Sequence, residues 1–283
     1  MIVGRLMGKI ALAWDLMKRT SITIRRARYE ELRNERKALS QKILAGYGYK
    51  VFSQSDEDGI INEIFRRIGV SNKVFVEFGV GDGLENNSAA LLYEGWFGLW
   101  IEGSGECCAK IRSAYRSAIE SGQLILVESF ITPENIDKII SSHIPAGEID
   151  LLSVDIDGND VHVFEKIRCI NPRVIVFEYN AKFGPNLMYC MAYDESYSWK
   201  KSDRFGASLK YFEVLMAARG YSCVGCNIVG TNAFFIRNDL LDEHFHSPYT
   251  SENHFEPARY ELVGLPSGHP CSVDTFGTRE IGH

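Results

Sequence analysis

The apolar and polar positions of this chain change rhythm three times. Over residues 1–45, Leu6, Ile10, Trp14 and Met17 recur at helical spacing, interleaved with Arg5, Lys9, Lys18 and Arg19. This predicts an amphipathic helical extension over 1–48, with a more charged, solvated second part from Arg25 to Leu44, broken at Gly46 to Gly48. From Phe52 to Ile68, Ile60, Ile61, Ile64, Phe65 and Ile68 form one apolar face. Ser55 or Asp56 can cap that helix, and acids fill its first turn, as the helix dipole prefers. Short apolar runs then alternate with helical patterns. Strands are expected at Val74–Phe78, Gly98–Glu102, Leu124–Glu128, Ile149–Asp155 and Arg173–Tyr179. Helices are expected between them, near Ser88–Glu94, Glu106–Ser121, after Thr132-Pro133-Glu134, and near Val161–Ile167. Strands alternating with helices imply a parallel sheet covered on both faces.

After the fifth strand the rhythm changes again. Ala181 to Phe205 is a long polar and aromatic segment, of a length usually kept for function or a lid. A helix is expected over Ala207–Arg219, then strands Tyr221–Cys226 and Asn232–Arg237 around Gly230, a hairpin that makes the last strand antiparallel. The expected fold is α/β: a doubly wound, Rossmann-like sheet of seven strands over 49–240, the layout of class I S-adenosylmethionine (SAM) methyltransferases. Residues 241–283 are expected to form an irregular tail packed on that domain.

The first strand ends on Gly79, Gly81 and Gly83. Glycines there admit positive φ and close backbone approach, and the turn delivers a ligand to a helix N-terminus. Glu102 closes the next strand, where a doubly wound sheet places an acid against a ribose hydroxyl pair. A dinucleotide fingerprint would place glycine at position 84, but Leu84 stands there. Glu77, two before the first glycine, suits the ammonium of SAM instead. Asn87 belongs to the same turn. Ser129 and Phe130 offer a polar contact and a ring for adenine; a buried Phe at a strand end is the alternative. Gln54 and Asp56 can reach the methionine end; a helix cap is the alternative for Asp56. A tight turn that binds nothing is the alternative for the whole stretch.

A second cluster lies at the ends of the fourth and fifth strands. Asp155, Asp157 and Asp160 follow one, and Glu178 and Asn180 end the other. That edge is where ligands sit in such a sheet. Carboxylates on buried strands need a partner, a metal or a task. Asp155, Asp157 and Glu178 are the candidates for catalysis on an acceptor hydroxyl. Asp155 also borders the cofactor. Asp155, Glu178 and Asn180 are the oxygen ligands for Mg²⁺. A base without metal, and turn capping by Asp157 and Asp160, are the other readings. Cys223 and Cys226 lack a second pair and should face opposite sides of a strand, which argues against zinc. His244 and His246 can supply a base if they fold over the edge. Tyr189, Tyr193, Tyr197 and Trp199 can stack on a sugar or pack within their own loop.

The blocks SQSDEDGI (53–60), VEFGVGDGLENNS (76–88), WIEG (100–103), LLSVDIDGND (151–160), VFEYN (176–180) and GTNAFFIR (230–237) resemble the FkbM-like branch of SAM-dependent methyltransferases. The resemblance spans about two thirds of the chain. It implies a class I fold, SAM, and methyl transfer to a hydroxyl of a glycan or another polyhydroxylated small molecule. Family members usually carry D-x-E-G after the fourth strand; this chain has Asp155-Ile156-Asp157-Gly158, with a shorter acid at the third place. A catalytically inactive binding or scaffold protein of the same fold and a dinucleotide-dependent oxidoreductase are the alternatives.

Charge sharpens the partner reading. The net charge is −6, but residues 1–45 carry eleven Lys/Arg against four Asp/Glu while the remainder is strongly acidic. An acidic body argues against nucleic acid, which is held by phosphate neutralisation. The basic extension suits a peripheral contact with an anionic membrane, or pairing with a second copy. No apolar run is long enough to span a bilayer, and Lys9 and Asp15 interrupt the first apolar stretch, against a signal peptide. Seven cysteines without disulfide-like spacing point to a reducing, cytoplasmic setting.

Overall fold

A computed structural model describes residues 2–199 and 202–263, with side chains described from residue 7 onward. Helix α1 (Ile2–Leu39) leads through a short 3₁₀ turn at Leu44–Tyr47 into α2 (Glu57–Ile68). The domain then runs β1 (Val74–Phe78), α3 (Ala89–Tyr93), β2 (Phe97–Glu102), α4 (Gly105–Ala114), α5 (Arg116–Glu120), β3 (Leu124–Glu128), α6 (Ile136–His143), β4 (Gly147–Val154), α7 (Asp160–Phe164), β5 (Ile170–Glu178), α8 (Leu209–Ala218), β6 (Tyr221–Cys226), β7 (Asn232–Arg237) and α9 (Ser251–His254).

The strand order is β3-β2-β1-β4-β5-β7-β6. β1 to β5 pair in parallel, and β7 runs antiparallel to both β5 and β6. This is the class I methyltransferase sheet. Its chain order reverses between β1 and β4, so the C-terminal ends of those two strands flank the crevice where such sheets take ligands. The alternation along each strand sorts the core into two layers. Val76, Phe78, Leu152, Val154, Ile175 and Phe177 pack on one face, and Phe75, Trp100, Leu151, Val174, Val176 and Phe234 on the other.

Three local expectations are corrected. The helix expected over 106–121 is two, because α4 ends at Tyr115, whose ring turns in edge-on against Trp100 and whose hydroxyl donates to the Gly83 carbonyl (2.6 Å). Residues 2–39 make one continuous helix, and the charged second part expected to be solvated is the part that docks. Leu32 is buried there, and Arg36 pairs with Glu256 (2.5 Å). Cys223 and Cys226 do not face opposite sides: a register shift between Cys223 and Gly225 turns both into the same core layer. Of the tail, residues 241–263 pack on the domain through Phe245, Tyr260 and a hydrogen bond from the Tyr179 hydroxyl to the Glu256 carbonyl. Residues 264–283 lie outside the described part.

Candidate active site

The turn after β1 is set by three glycines for three different reasons. All have positive φ (79°, 54° and 81° at Gly79, Gly81 and Gly83). A Cβ on Gly79 would fall 1.4 Å from the Asp155 carbonyl oxygen, so this glycine lets the end of β1 lie against the end of β4. A Cβ on Gly83 would press on Ile111 and Tyr115. A Cβ on Gly81 meets nothing within 4 Å. The middle glycine therefore faces open space, as a backbone that receives a ligand must.

Glu102 stands over that opening. One carboxylate oxygen accepts from Gly81 N–H (2.8 Å) and the other from Ser104 N–H (2.7 Å). Beyond it, Ser129 N–H donates to the Glu102 carbonyl and the Ser129 hydroxyl to the Phe130 carbonyl. Phe130 is 60% exposed, and its ring lies 3.4 Å from where a Cβ on Gly103 would be. The buried strand-end Phe weighed as an alternative is thus not what the fold contains. The uncovered Phe130 ring lies beside Gly103, on the same sheet edge as Gly81 and Glu102.

Glu77 points the other way. It accepts from Asn87 N–H (2.9 Å), Ser88 N–H (3.0 Å) and the Ser88 hydroxyl, which itself accepts from the Trp100 indole (2.8 Å). Burial raises its pKa, while these donors favour its charged form. Its carboxylate braces the turn from beneath. Asn87 joins the brace, giving its side-chain amide to Ser153 (3.1 Å).

Asp56 is placed away from the turn. It precedes α2 but makes no side-chain cap bond. Its carboxylate takes the Ser55 hydroxyl (2.9 Å) and Ile228 N–H (3.2 Å), tying α2 to the β6–β7 turn. Loss of water and the charge of Glu57 push its pKa up to about 7. Gln54 lines a cavity beside α1, and its carbonyl accepts from Lys50 (3.0 Å). Reading the sequence missed two neighbours. Glu57 collects Ser55 N–H and the amides of Asn227 and Asn232. Asp58 accepts from the N–H groups of Val51, Phe52 and Ser53. The signal was present in Asp56-Glu57-Asp58: three consecutive acids exceed what a helix dipole needs.

Across the crevice, Asp155, Asp157 and Glu178 each bring a carboxylate oxygen within 4.8 Å of the others, and none of the three has a cationic partner among the described residues. Asp157 reaches this position in a left-handed conformation (φ 62°), which aspartate tolerates, so the shorter acid still joins the cluster. Loss of water, then repulsion from Asp157 and Asp160, raises the Asp155 pKa well above the carboxylate range. Glu178 is raised likewise, by burial first and then by Asp155 and Asp157. Asp160 turns inward to accept from Ile156 N–H (2.8 Å) and bends the turn, with burial lifting its pKa to about 6.

Asn180 is not in the cluster. Its amide donates to the carbonyls of Asp203 (2.8 Å) and Phe205 (3.1 Å), and its oxygen accepts from Lys182 N–H. It anchors the long loop. The loop roofs the edge. The Tyr197 ring packs where a Cβ on Gly158 would be, and Asn159 exchanges hydrogen bonds with the backbone of Asp194. Tyr189 stacks on Phe183, and Tyr193 meets His162 edge-on. Trp199 lies near Phe205. Tyr189 is buried in the loop's own packing, whereas Tyr193 and Trp199 keep an exposed face. His244 lies at the opposite edge, where its carbonyl accepts from Arg67 at the far end of α2. His246 lies 6.2 Å from the ring of His254, beside a cavity under α1. Sequence gave no hint of Tyr260, whose hydroxyl pKa is raised by burial and by the charge of Glu178.

No family model and no curated protein matches the chain, so the FkbM-like resemblance stays a reading of the motifs. Among solved structures the chain is similar to the methyltransferase domain of bacterial CtHen1, at 15% identity over 62% of this chain and 98% of that one (TM-score 0.40). An O-methyltransferase from Bacillus cereus in complex with SAH is 16% identical over 62% of this chain and 77% of that one (TM-score 0.43). The glycopeptide N-methyltransferase MtfA with sinefungin is 14% identical over 64% and 87% (TM-score 0.38). At this distance the likenesses say nothing of donor or acceptor. The strand order itself carries the fold.

Proposed function

We propose that this protein is a SAM-dependent O-methyltransferase acting on a hydroxyl of a sugar, glycan or similar polyhydroxylated molecule. One observation carries the reading: the open glycine turn lies against the crowded carboxylates, since Gly79 touches the backbone of Asp155. A cofactor groove and a hydroxyl-binding cluster therefore meet at one point of the sheet edge.

The groove fits SAM in its parts. Gly81 leaves room for a ligand, Glu102 presents a carboxylate for the ribose hydroxyls, and Phe130 offers an uncovered ring for adenine. When bound, SAM supplies an electrophilic methyl group on a sulfonium. The chain's own part is to orient an acceptor hydroxyl and take its proton. Burial and mutual repulsion raise the pKa values of Asp155 and Glu178, which makes their ionised forms stronger proton acceptors than an ordinary carboxylate. Holding the nucleophile in line supplies much of the acceleration, with effective molarities reaching about 10⁵ M or more. Asp155, Asp157 and Glu178 also fit Mg²⁺, which takes carboxylate oxygens and would make the hydroxyl more acidic.

The test is calorimetry with SAM, followed by assay for S-adenosylhomocysteine against glycan and metabolite extracts, with and without EDTA. SAM binding and acceptor-dependent product are expected. Binding without product from any extract leaves a scaffold of the same fold. Absence of SAM binding ends the reading. Activity that survives EDTA removes the metal and leaves Asp155 and Glu178 as bases.

A further inference from the structure

The largest departure from an ordinary surface is α1. Met7, Ile10, Trp14, Met17 and Ile24 are between 57% and 66% exposed. At about 100° per residue they share roughly a third of the helix circumference. A contiguous apolar stripe of this kind marks an interaction surface. The helix packs on the domain through its C-terminal third, at Tyr29, Leu32, Arg33 and Arg36, and Ile22, Arg25 and Arg26 border a cavity between helix and domain. Among the described residues nothing covers the stripe.

Charge selects the partner. From residue 7 to Arg28 the helix holds Lys9, Lys18, Arg19, Arg25, Arg26 and Arg28 against the single acid Asp15. Arg19 pairs with Asp15 and Arg28 with Glu31. Among the described residues Lys9, Lys18, Arg25 and Arg26 pair with no acid. A second copy laid along the same stripe would set these cations beside their own images, in either direction. An anionic surface neutralises them while taking up the apolar stripe. No described helix is long and apolar enough to cross a membrane, so the helix would lie on the surface.

We propose that α1 docks the protein on an anionic lipid surface, with Ile10, Trp14 and Met17 inserted and Lys9, Lys18 and Arg25, which flank the stripe, at the headgroups. The domain body is acidic, so the contact is confined to this helix. The proposal stands apart from the methyltransferase reading, since none of these residues touches the glycine turn or the carboxylates.

The experiment is co-sedimentation of the full chain with phosphatidylcholine vesicles and with phosphatidylcholine–phosphatidylglycerol vesicles. Binding is expected only to the anionic vesicles, falling at least tenfold between low and high salt. Trp14→Glu with Ile10→Glu should abolish it, and Lys9→Glu with Lys18→Glu should weaken it several-fold. An unchanged melting temperature of the same variants reports that the domain is folded. Equal binding to neutral vesicles, or none to anionic ones at low salt, overturns the proposal. So does a dimer seen by sedimentation velocity that Trp14→Glu dissolves while vesicles stay unbound, which would assign the stripe to a second copy.

Discussion

Asp150 lies in the first half of β4 and Asp155 just past its end. Asp150 is wholly buried and fully matched: Arg173 reaches it at 2.6 Å, and the backbone N–H groups of Ser71, Asn72 and Lys73 donate to it. Asp155 is half-buried and meets acids instead: Asp157 and Glu178 within 4.8 Å, with Asp160 close enough to raise its pKa further. A fold that needed only stability would match both, since a buried carboxylate without a counter-charge is costly. The N-terminal edge of the sheet shows that this chain can neutralise an acid when structure is the purpose. Crowded carboxylates at the other edge point to chemistry.

The largest expected effect follows directly. Asp155→Asn should lower the single-turnover methyl-transfer rate by about 10² to 10⁴-fold, the span of a lost general base. SAM affinity by calorimetry should stay within about threefold, since Asp155 faces the acceptor. The melting temperature should hold or rise, because the substitution removes mutual repulsion. A clear fall in melting temperature would make Asp155 a second Asp150, and the contrast would collapse.

Asp150→Ala should behave in the opposite way. It strands Arg173, which is 6% exposed and otherwise bonds only the carbonyls of Ile68 and Gly69. Breaking a buried pair on one side costs about 3–5 kcal/mol. Urea unfolding should show that loss, with SAM affinity of the folded protein unchanged. A stability change under about 1 kcal/mol would mean the pair is no more than a surface bridge.

The crowding also predicts a pH signature. The folded state raises the pKa of Asp155 and Glu178, so it binds protons more tightly than the unfolded chain. Stability from these groups therefore falls as pH rises from the ordinary carboxylate range through the raised one. Turnover moves the other way, because the base must be deprotonated. Glu178→Gln removes one of the charges that raises Asp155, so the rise in turnover should shift to lower pH and the stability slope should flatten. A pH–rate profile unmoved by Glu178→Gln would uncouple the two acids.

Much of this was legible in the residues. Period-two and helical patterns are local, so β1, β6 and β7 match their expected bounds, while the order of the strands in the sheet is not fixed by their succession. The convergence of Asp155 and Glu178 also follows from topology. What could not be read is which way a polar side chain turns once neighbours compete for it. Glu77 was expected to face a ligand, but the Asn87 and Ser88 N–H groups are nearer. Asn180 was expected at the cluster, but the carbonyls of Asp203 and Phe205, distant in sequence, hold it. The bulge that turns Cys223 and Cys226 to one side leaves no trace in spacing. These are outcomes of long-range hydrogen bonding, which sequence periodicity does not encode.

The smallest effects separate crowding from mere position at the active edge. Glu102 lies on the same edge as Asp155, yet its carboxylate is matched by Gly81 and Ser104 N–H groups. Glu102→Ala should weaken SAM about tenfold, or about 1.4 kcal/mol, with the rate at saturating SAM nearly intact. Phe130 carries no charge, and its ring is already open to water, so its removal costs no core packing. Phe130→Ala should lose only the stacking of one aromatic pair, about 0.5–1.5 kcal/mol, read as a three- to tenfold weaker SAM affinity by calorimetry. Phe130→Tyr should restore it, because the ring and not its substituent makes the contact. If Phe130→Ala instead reduced the saturated rate as Asp155→Asn does, the groove and the cluster would not be separate halves of the site, and position at the edge would explain both.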